Sequence, residues 1–375
     1  MKGGFIKYGS CPAILIAILA LGACRLGMPA ALPGGPVQKG RVLAVPADQA
    51  YTGAYIDFGP TEDDVTLAAI EDFERLVGKR QAIVAFSNNW GKNRFPRHNL
   101  DLIADHGAVP LVYWLPWESR QDWDAKRIDR YPLYDILAGK YDAYLSDWGE
   151  QARDFGRPLL VAWGIEMNGN WFPWSGLFYG GGAPAPPGAA GPFAGPELYQ
   201  RAYRYVVDKV RGRGAQNIQW VLHLNSGTVP DEAWNVYKSY YPGSDYVDWL
   251  GLSAYGQQYP YQKFWSVDEV FISSYREIAA VDPDKPVLLA EWGVGHFPRS
   301  GSMSRWIAEF FRRIPAECPR IHAAIYWHEL WQNHDGSWSN LRVNATEEAL
   351  AAYRKGVAQA YWLDHPLWVE EKTAH

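Results

Sequence analysis

Two glutamates stand where their residue type and surroundings could do chemistry. Glu166, in Gly164-Ile165-Glu166-Met167-Asn168-Gly169, comes just after the apolar run Pro158–Trp163, and Glu291, in Glu291-Trp292-Gly293, follows Pro286–Ala290 directly. Each run has the length and composition of a fully buried strand. A carboxyl group delivered from such a strand into a partly dry opening has its pKa raised by desolvation. Trp171, Phe172, Trp174 and Phe178 follow Glu166 at once, and their ring faces suit the apolar faces of sugars. Two such acids meet the requirement of glycosidic bond cleavage: one protonates the leaving oxygen, the other attacks or activates water. A separation of about 5–5.5 Å would give retention and a wider one inversion; the sequence leaves that distance open. The bland alternatives are ion pairs with loop arginines such as Arg94 or Arg299 and tryptophans that serve as core packing.

Positioning the pair requires strands that converge. Short apolar runs lie at Gly53–Phe58, Ala82–Phe86, Val109–Trp114, Pro158–Trp163, Ile218–Leu224, Trp249–Ala254, Val287–Ala290 and Ala323–Trp327. Helical spacing or capping signals fill the gaps: from Thr61, then Asn99–Gly107, Lys140–Phe155, Glu197–Gly212, a weaker Asp231–Tyr240, Val267–Ala280, Met303–Ile314 and Thr346–Tyr361. This alternation predicts an α/β fold, a (β/α)8 TIM barrel forming a single domain. A doubly wound open sheet is the alternative, but no GxGxxG follows the first strand. The run Gly180–Pro196, rich in Gly, Pro and Ala, reads as a long loop beside the site. Barrel active sites sit at the C-terminal ends of the strands. Chemically apt residues cluster there: Trp114 after the third strand, His223 and Asn225 at the fifth, Tyr255 at the sixth, Trp292 at the seventh and Trp327 at the eighth. With Trp171 and Trp174 these are the candidate substrate contacts.

Glu166-Met-Asn-Gly-Asn-Trp171-Phe-Pro-Trp174, followed far downstream by Leu289-Ala-Glu291-Trp-Gly293, resembles glycoside hydrolase family 26. The resemblance covers about Tyr51 to Tyr361 and is strongest at strands four and seven. It implies a retaining (β/α)8 glycosidase with Glu166 as general acid/base and Glu291 as nucleophile. It further implies that Tyr255 hydrogen-bonds the nucleophile, that Trp171 helps form the sugar platform and that Trp327 lies beneath the reacting ring. Mannan-degrading members commonly carry His immediately before the acid/base, and often an arginine a few residues earlier. Here the first is Ile165 and the second is missing, which bears on sugar identity, with His223 and Asn225 as candidate replacements. The expected activity is endo-hydrolysis of a β-linked polysaccharide, β-1,4-mannan first, with a β-1,3-1,4-glucan or a bacterial exopolysaccharide as alternatives. The rival of another class is a carbohydrate-binding protein without turnover.

The 375 residues carry a net charge of −5, which gives no reason to expect nucleic acid as a partner. Residues 1–24 read as a signal peptide: Lys2 and Lys7 precede an apolar segment too short to span a membrane comfortably. Leu21-Gly22-Ala23-Cys24 resembles a bacterial lipobox, making Cys24 a candidate for lipidation, with ordinary cleavage near Ala23 as the alternative. Residues 25–48 read as a flexible tether and 49–375 as the catalytic domain. The expected location is periplasmic, anchored to the outer membrane, or secreted, with membrane contact only through the lipid, and the expected state is monomeric. Only Cys318 lies in the body, and the histidines show no HExxH or HxH pairing, so neither a metal nor any other cofactor is expected.

Overall fold

The computed structural model describes residues 39–118 and 129–370. Residues 1–24 with Cys24, and the tether as far as residue 38, lie outside the described residues. Eight parallel strands close a barrel: β1 (Ala50–Tyr55), β2 (Ile83–Asn89), β3 (Val109–Leu115), β4 (Leu159–Trp163), β5 (Ile218–Asn225), β6 (Trp249–Tyr255), β7 (Val287–Gly293) and β8 (Ile321–Trp327). Each pairs with its sequence neighbours, and β8 returns to β1 with Tyr51 opposite Ala323 through to Tyr55 opposite Trp327. Almost every strand residue is buried, because side chains fill the barrel on one face and meet helices on the other.

The outer ring is α1 (Leu67–Val77), α2 (Arg97–His106), α3 (Leu133–Leu137), α4 (Asp142–Phe155), α5 (Ala194–Arg211), α6 (Ser273–Ala279), α7 (Met303–Glu317) and α8 (Glu347–Val357). Thr66 and Thr346 cap α1 and α8 by accepting from the Ala69 and Ala349 N–H groups, satisfying donors that the helix leaves over. Gly156 stops α4 at φ 62°, a left-handed conformation glycine adopts without penalty. Among the described residues no helix is long and apolar enough to cross a membrane.

Several boundaries differ from those expected, four of them for a visible reason. The first strand begins three residues early, since Ala50 N–H takes the Tyr361 carbonyl and Trp362–Leu363 pairs alongside, while Asp57 at φ 40° turns the chain away. The first helix starts at Leu67, leaving the acidic Thr61–Asp64 stretch as a loop over the barrel mouth. Asp231–Tyr240 forms only a 3-10 turn at Tyr237–Tyr240, its donors being taken up by side chains and loop carbonyls. The loop expected to run to Pro196 ends at Phe193: Ala194–Pro196 is the first turn of α5, where proline's missing N–H would have no partner anyway.

The tether also ends earlier than residue 48. Arg41–Leu43 forms a strand antiparallel to Trp368–Glu370, and the Gln219 side chain bonds both the N–H (2.9 Å) and the carbonyl (3.1 Å) of Leu43. Gln219 sits at the start of β5, so this clamp lies at the barrel end opposite the strand C-termini.

Candidate active site

Glu166 is set by the chain that leaves β4. Gly164 (φ 56°) turns it, its N–H donating to the Trp114 carbonyl at 3.1 Å, and the Glu166 N–H donates to the His223 carbonyl at 2.7 Å. Glu166 itself holds φ 53°, a left-handed conformation that costs a non-glycine residue about 1–3 kcal/mol and persists where the surroundings over-determine it. Here those surroundings are the β3 and β5 bonds just described and the Trp174 Nε1–H donated to the Ile165 carbonyl at 2.7 Å. Glu291 lies within β7 rather than beyond it. The register with β6 slips between Leu252 and Ser253, and that with β8 slips between Leu289 and Trp292. Such slips re-aim side chains, and Ser253 comes opposite Glu291.

The two carboxylates meet. One oxygen of Glu166, one of Glu291 and a ring nitrogen of His223 all lie within 4.8 Å of one another, and Glu166 and Glu291 are only 9% and 7% exposed. Trp171 Nε1–H donates to Glu166 Oε2 at 2.7 Å, and the Tyr255 hydroxyl donates to Glu291 Oε2 at 2.7 Å. Among the described residues neither acid has an ion pair, so the arginine alternative fails. Desolvation holds the Glu166 carboxyl above its ordinary range, opposed by hydrogen bonds from Ser253 and Trp171. Glu291 is pushed well above its range, by desolvation first and then by the negative charges of Glu166, Glu62 and Glu329, with the Tyr255 hydroxyl opposing. Two buried acids this close titrate as a pair, so the first proton lost belongs to both.

Three groups around the pair escaped the sequence reading. Glu62 was taken for a helix start, yet it stands at φ 58° in the β1–α1 loop, accepting from the Ser87 hydroxyl at 2.6 Å, and its charge reaches Glu291. Tyr113 points into the barrel, its hydroxyl donating to the Ala290 carbonyl at 2.6 Å beside Glu291. Glu329 accepts from Trp327 Nε1 at 2.8 Å. Tyr113 could have been found from strand alternation and Glu329 from its place just past the eighth apolar run; Glu62 leaves no such signal.

Among the expected contacts, Trp171, Tyr255 and Trp327 belong to the site, Trp327 stacking on Tyr55 with centroids 3.9 Å apart. Three tryptophans do not. Trp114 is fully buried, stacked on Trp148 of α4 and bonded to the Tyr144 hydroxyl. Trp292 lies against Phe310 of α7 with centroids 3.5 Å apart, because its neighbour Glu291 takes the inward direction. Trp174 stacks on Phe172 and buttresses the Glu166 loop from beneath. His223 is enclosed, its Nε2 2.6 Å from Ser253 Oγ and its Nδ1 without a hydrogen-bond partner; burial pushes its pKa down to about 3, so it is neutral. It underpins the carboxylates and offers no face to a ligand from solvent. Asn225 spends its amide on the Gly227 carbonyl at 2.7 Å, outside the pair. Glu166, His223 and Glu291 together are also the one group among the described residues whose atoms could hold a cation.

A family model described as glycosyl hydrolase family 26 matches residues 97–349. The chain belongs to that family. It is 29% identical to Endoglucanase H of Acetivibrio thermocellus over 309 residues, 81% of this chain and 30% of that one. It is 26% identical to the mannan endo-1,4-beta-mannosidase of Bacillus subtilis strain 168 over 187 residues, half of this chain and 43% of that one. The chain thus spans less than half the length of either relative. Among solved structures, a Cellulomonas fimi endo-beta-1,4-mannanase double mutant superposes with TM-score 0.59 at 19% identity, over 85% of this chain and 72% of that one. GH26C from Muricauda sp. MAR_2010_75 gives 0.61 at 14%, over 84% and 87%. These likenesses place the fold of this family-26 chain among (β/α)8 barrels.

Proposed function

We propose that the chain is an endo-acting, retaining glycosidase that cuts a β-linked polysaccharide. The observation that carries this reading is the buried Glu166–Glu291 pair with oxygens within 4.8 Å. That spacing favours direct attack over an intervening water, since inverting pairs stand about 6.5–9.5 Å apart. Glu291, its anion supported by the Tyr255 hydroxyl, attacks the anomeric carbon. Glu166 gives its proton to the departing sugar oxygen, then takes one from the water that releases the glycosyl-enzyme. The reacting arrangement has the shared proton on Glu166; the charges of Glu62 and Glu329 draw it towards Glu291. Desolvation first, then the charge of Glu166 and those of Glu62 and Glu329, therefore set the acid edge of activity above that of an ordinary glutamate.

β-1,4-Mannan is the first substrate of this reading. A mixed-linkage β-glucan is the second, supported by the broad match to a relative named Endoglucanase H and by the apolar Ile165 beside the acid/base. The test is reducing-end release from β-mannan, glucomannan, mixed-linkage β-glucan and β-1,3-xylan by the wild type and Glu291→Gln, with product anomers followed by NMR. Release from one polymer with retained configuration, lost in Glu291→Gln and indifferent to EDTA, supports the proposal. Inverted products sink the nucleophile assignment, and equal release by the variant sinks the pair. From its leader segment the protein is read as an exported monomer, with Cys24 the candidate for lipidation and cleavage near Ala23 the alternative; an unmodified mature N-terminus by mass spectrometry would remove the lipid.

A further inference from the structure

The loop after β6 carries aromatic side chains that the catalytic pair does not use. Tyr261 is 75% exposed, yet its ring stacks on Tyr259 with centroids 5.4 Å apart and planes 12° apart. Tyr259 in turn meets Trp331 edge to face at 5.9 Å. Trp331 belongs to a hairpin, Leu330–Gln332 with Trp338–Asn340, that follows β8. An aromatic stack in water exposes apolar surface that a soluble fold ordinarily hides, and such surface marks a contact.

The stack is held on a fixed scaffold. The β6 loop is closed at its base by Trp265 N–H to the Gly256 carbonyl, and Gln262 Oε1 accepts from the N–H groups of Gln258 and Tyr259. Gly256 N–H donates to the Gly293 carbonyl and Gly295 N–H to the Gln257 carbonyl, joining this loop to the strand that bears Glu291. His296 N–H donates to Asn340, and Leu341 N–H donates to the Glu329 carbonyl, joining the hairpin to the same wall. Tyr259 stands four residues beyond Tyr255, and Trp331 four beyond Trp327, so each lies within about 14 Å of a residue at the reacting centre. The stack is thus carried by the two loops that leave strands bearing Tyr255 and Trp327, on the same end of the barrel as the carboxylate pair.

We infer that the Tyr259–Tyr261–Trp331 stack is a distal sugar subsite, taking the pyranose rings of the β-linked chain a few units from the bond that is cut. Tyr261 offers a flat, exposed ring to the C–H face of a sugar. The subsite rests on the glycosidase reading above, and it acts on long chains alone.

The experiment compares wild type, Tyr261→Ala and Tyr261→Trp on two probes. One is whichever of β-mannan or mixed-linkage β-glucan the protein cleaves; the other is the 2,4-dinitrophenyl β-disaccharide of the same sugar, whose glycone has only two rings. Tyr261→Ala is expected to lower kcat/KM on the polymer roughly fivefold to tenfold, through KM, and to leave the aryl disaccharide unchanged. Tyr261→Trp restores the polymer value. Unchanged polymer kinetics, or equal losses on both probes, overturn the subsite. Should the wild type cleave neither probe, the glycosidase reading fails by itself. Retardation in native gels containing either polysaccharide then decides the subsite: retardation lost in Tyr261→Ala upholds it, and equal or absent retardation overturns it.

Discussion

Replacing Tyr255 by phenylalanine removes one hydroxyl and keeps the ring. The hydroxyl donates to Glu291 Oε2 at 2.7 Å and is the group that opposes the upward push on that carboxyl. A hydrogen bond to a charged group is worth about 1.5–3 kcal/mol, and a pKa unit corresponds to about 1.4 kcal/mol. Loss of the donor therefore raises the first ionisation of the pair by about 1–2 units. Cleavage needs Glu291 ionised, so the acid limb of the kcat/KM–pH profile moves upward by the same amount. Well below the limb the variant falls short by roughly ten- to a hundredfold, and the gap narrows as pH rises through the shifted limb. The assay is kcat/KM on the soluble polymer from pH 4 to 9, with circular dichroism confirming the fold. An acid limb that stays in place, or a loss uniform across pH, would refute the argument that this hydroxyl acts on the charge of Glu291.

Trp171→Phe deletes the donor to Glu166 Oε2, so the acid/base holds its proton to higher pH and the alkaline limb moves up; a limb that moves down in the same profile would contradict this. Glu291→Gln bears on stability. A carboxyl whose pKa is raised in the folded protein stabilises it below the unfolded value and loses that contribution as pH rises through the folded one. The variant should therefore melt at least ~2 °C above wild type at pH 7 and show no advantage near pH 4, as calorimetry at the two pH values would reveal. Trp292→Ala should cost about 3–5 kcal/mol in urea unfolding through the cavity left beside Phe310, whereas a surface sugar contact would cost almost nothing.

The barrel and the meeting of Glu166 with Glu291 were legible because both rest on local patterns. Apolar runs alternate with capped helices, and each acid follows its run at once. Two of the tryptophan errors, at Trp114 and Trp292, share one cause. A strand turns successive side chains to opposite faces, so if Glu291 looks inward Trp292 looks at α7, and if Tyr113 looks inward Trp114 looks at α4. Proximity in sequence to the site was mistaken for a place in it. Glu62 was lost for a different reason: acidic residues before an apolar helix resemble a first turn, and only the left-handed backbone at Glu62 and the bond from Ser87 reveal another use. The closeness of His223 to both carboxylates depends on how β5 and β6 register, which no local spacing encodes.

The clamp of Arg41–Leu43 against Trp368–Glu370 gives the molecule a handle and decides where it is. Chain entering at Lys39 and chain leaving at Glu370 run side by side at the blunt end of the cylinder, while the working end faces the other way. Pulling on either end loads the same short ribbon and the Gln219 bonds that fasten it, leaving the mouth unstressed. A surface, bead or partner domain attached next to Lys39 or Glu370 would sit at the end of the barrel away from the open cleft.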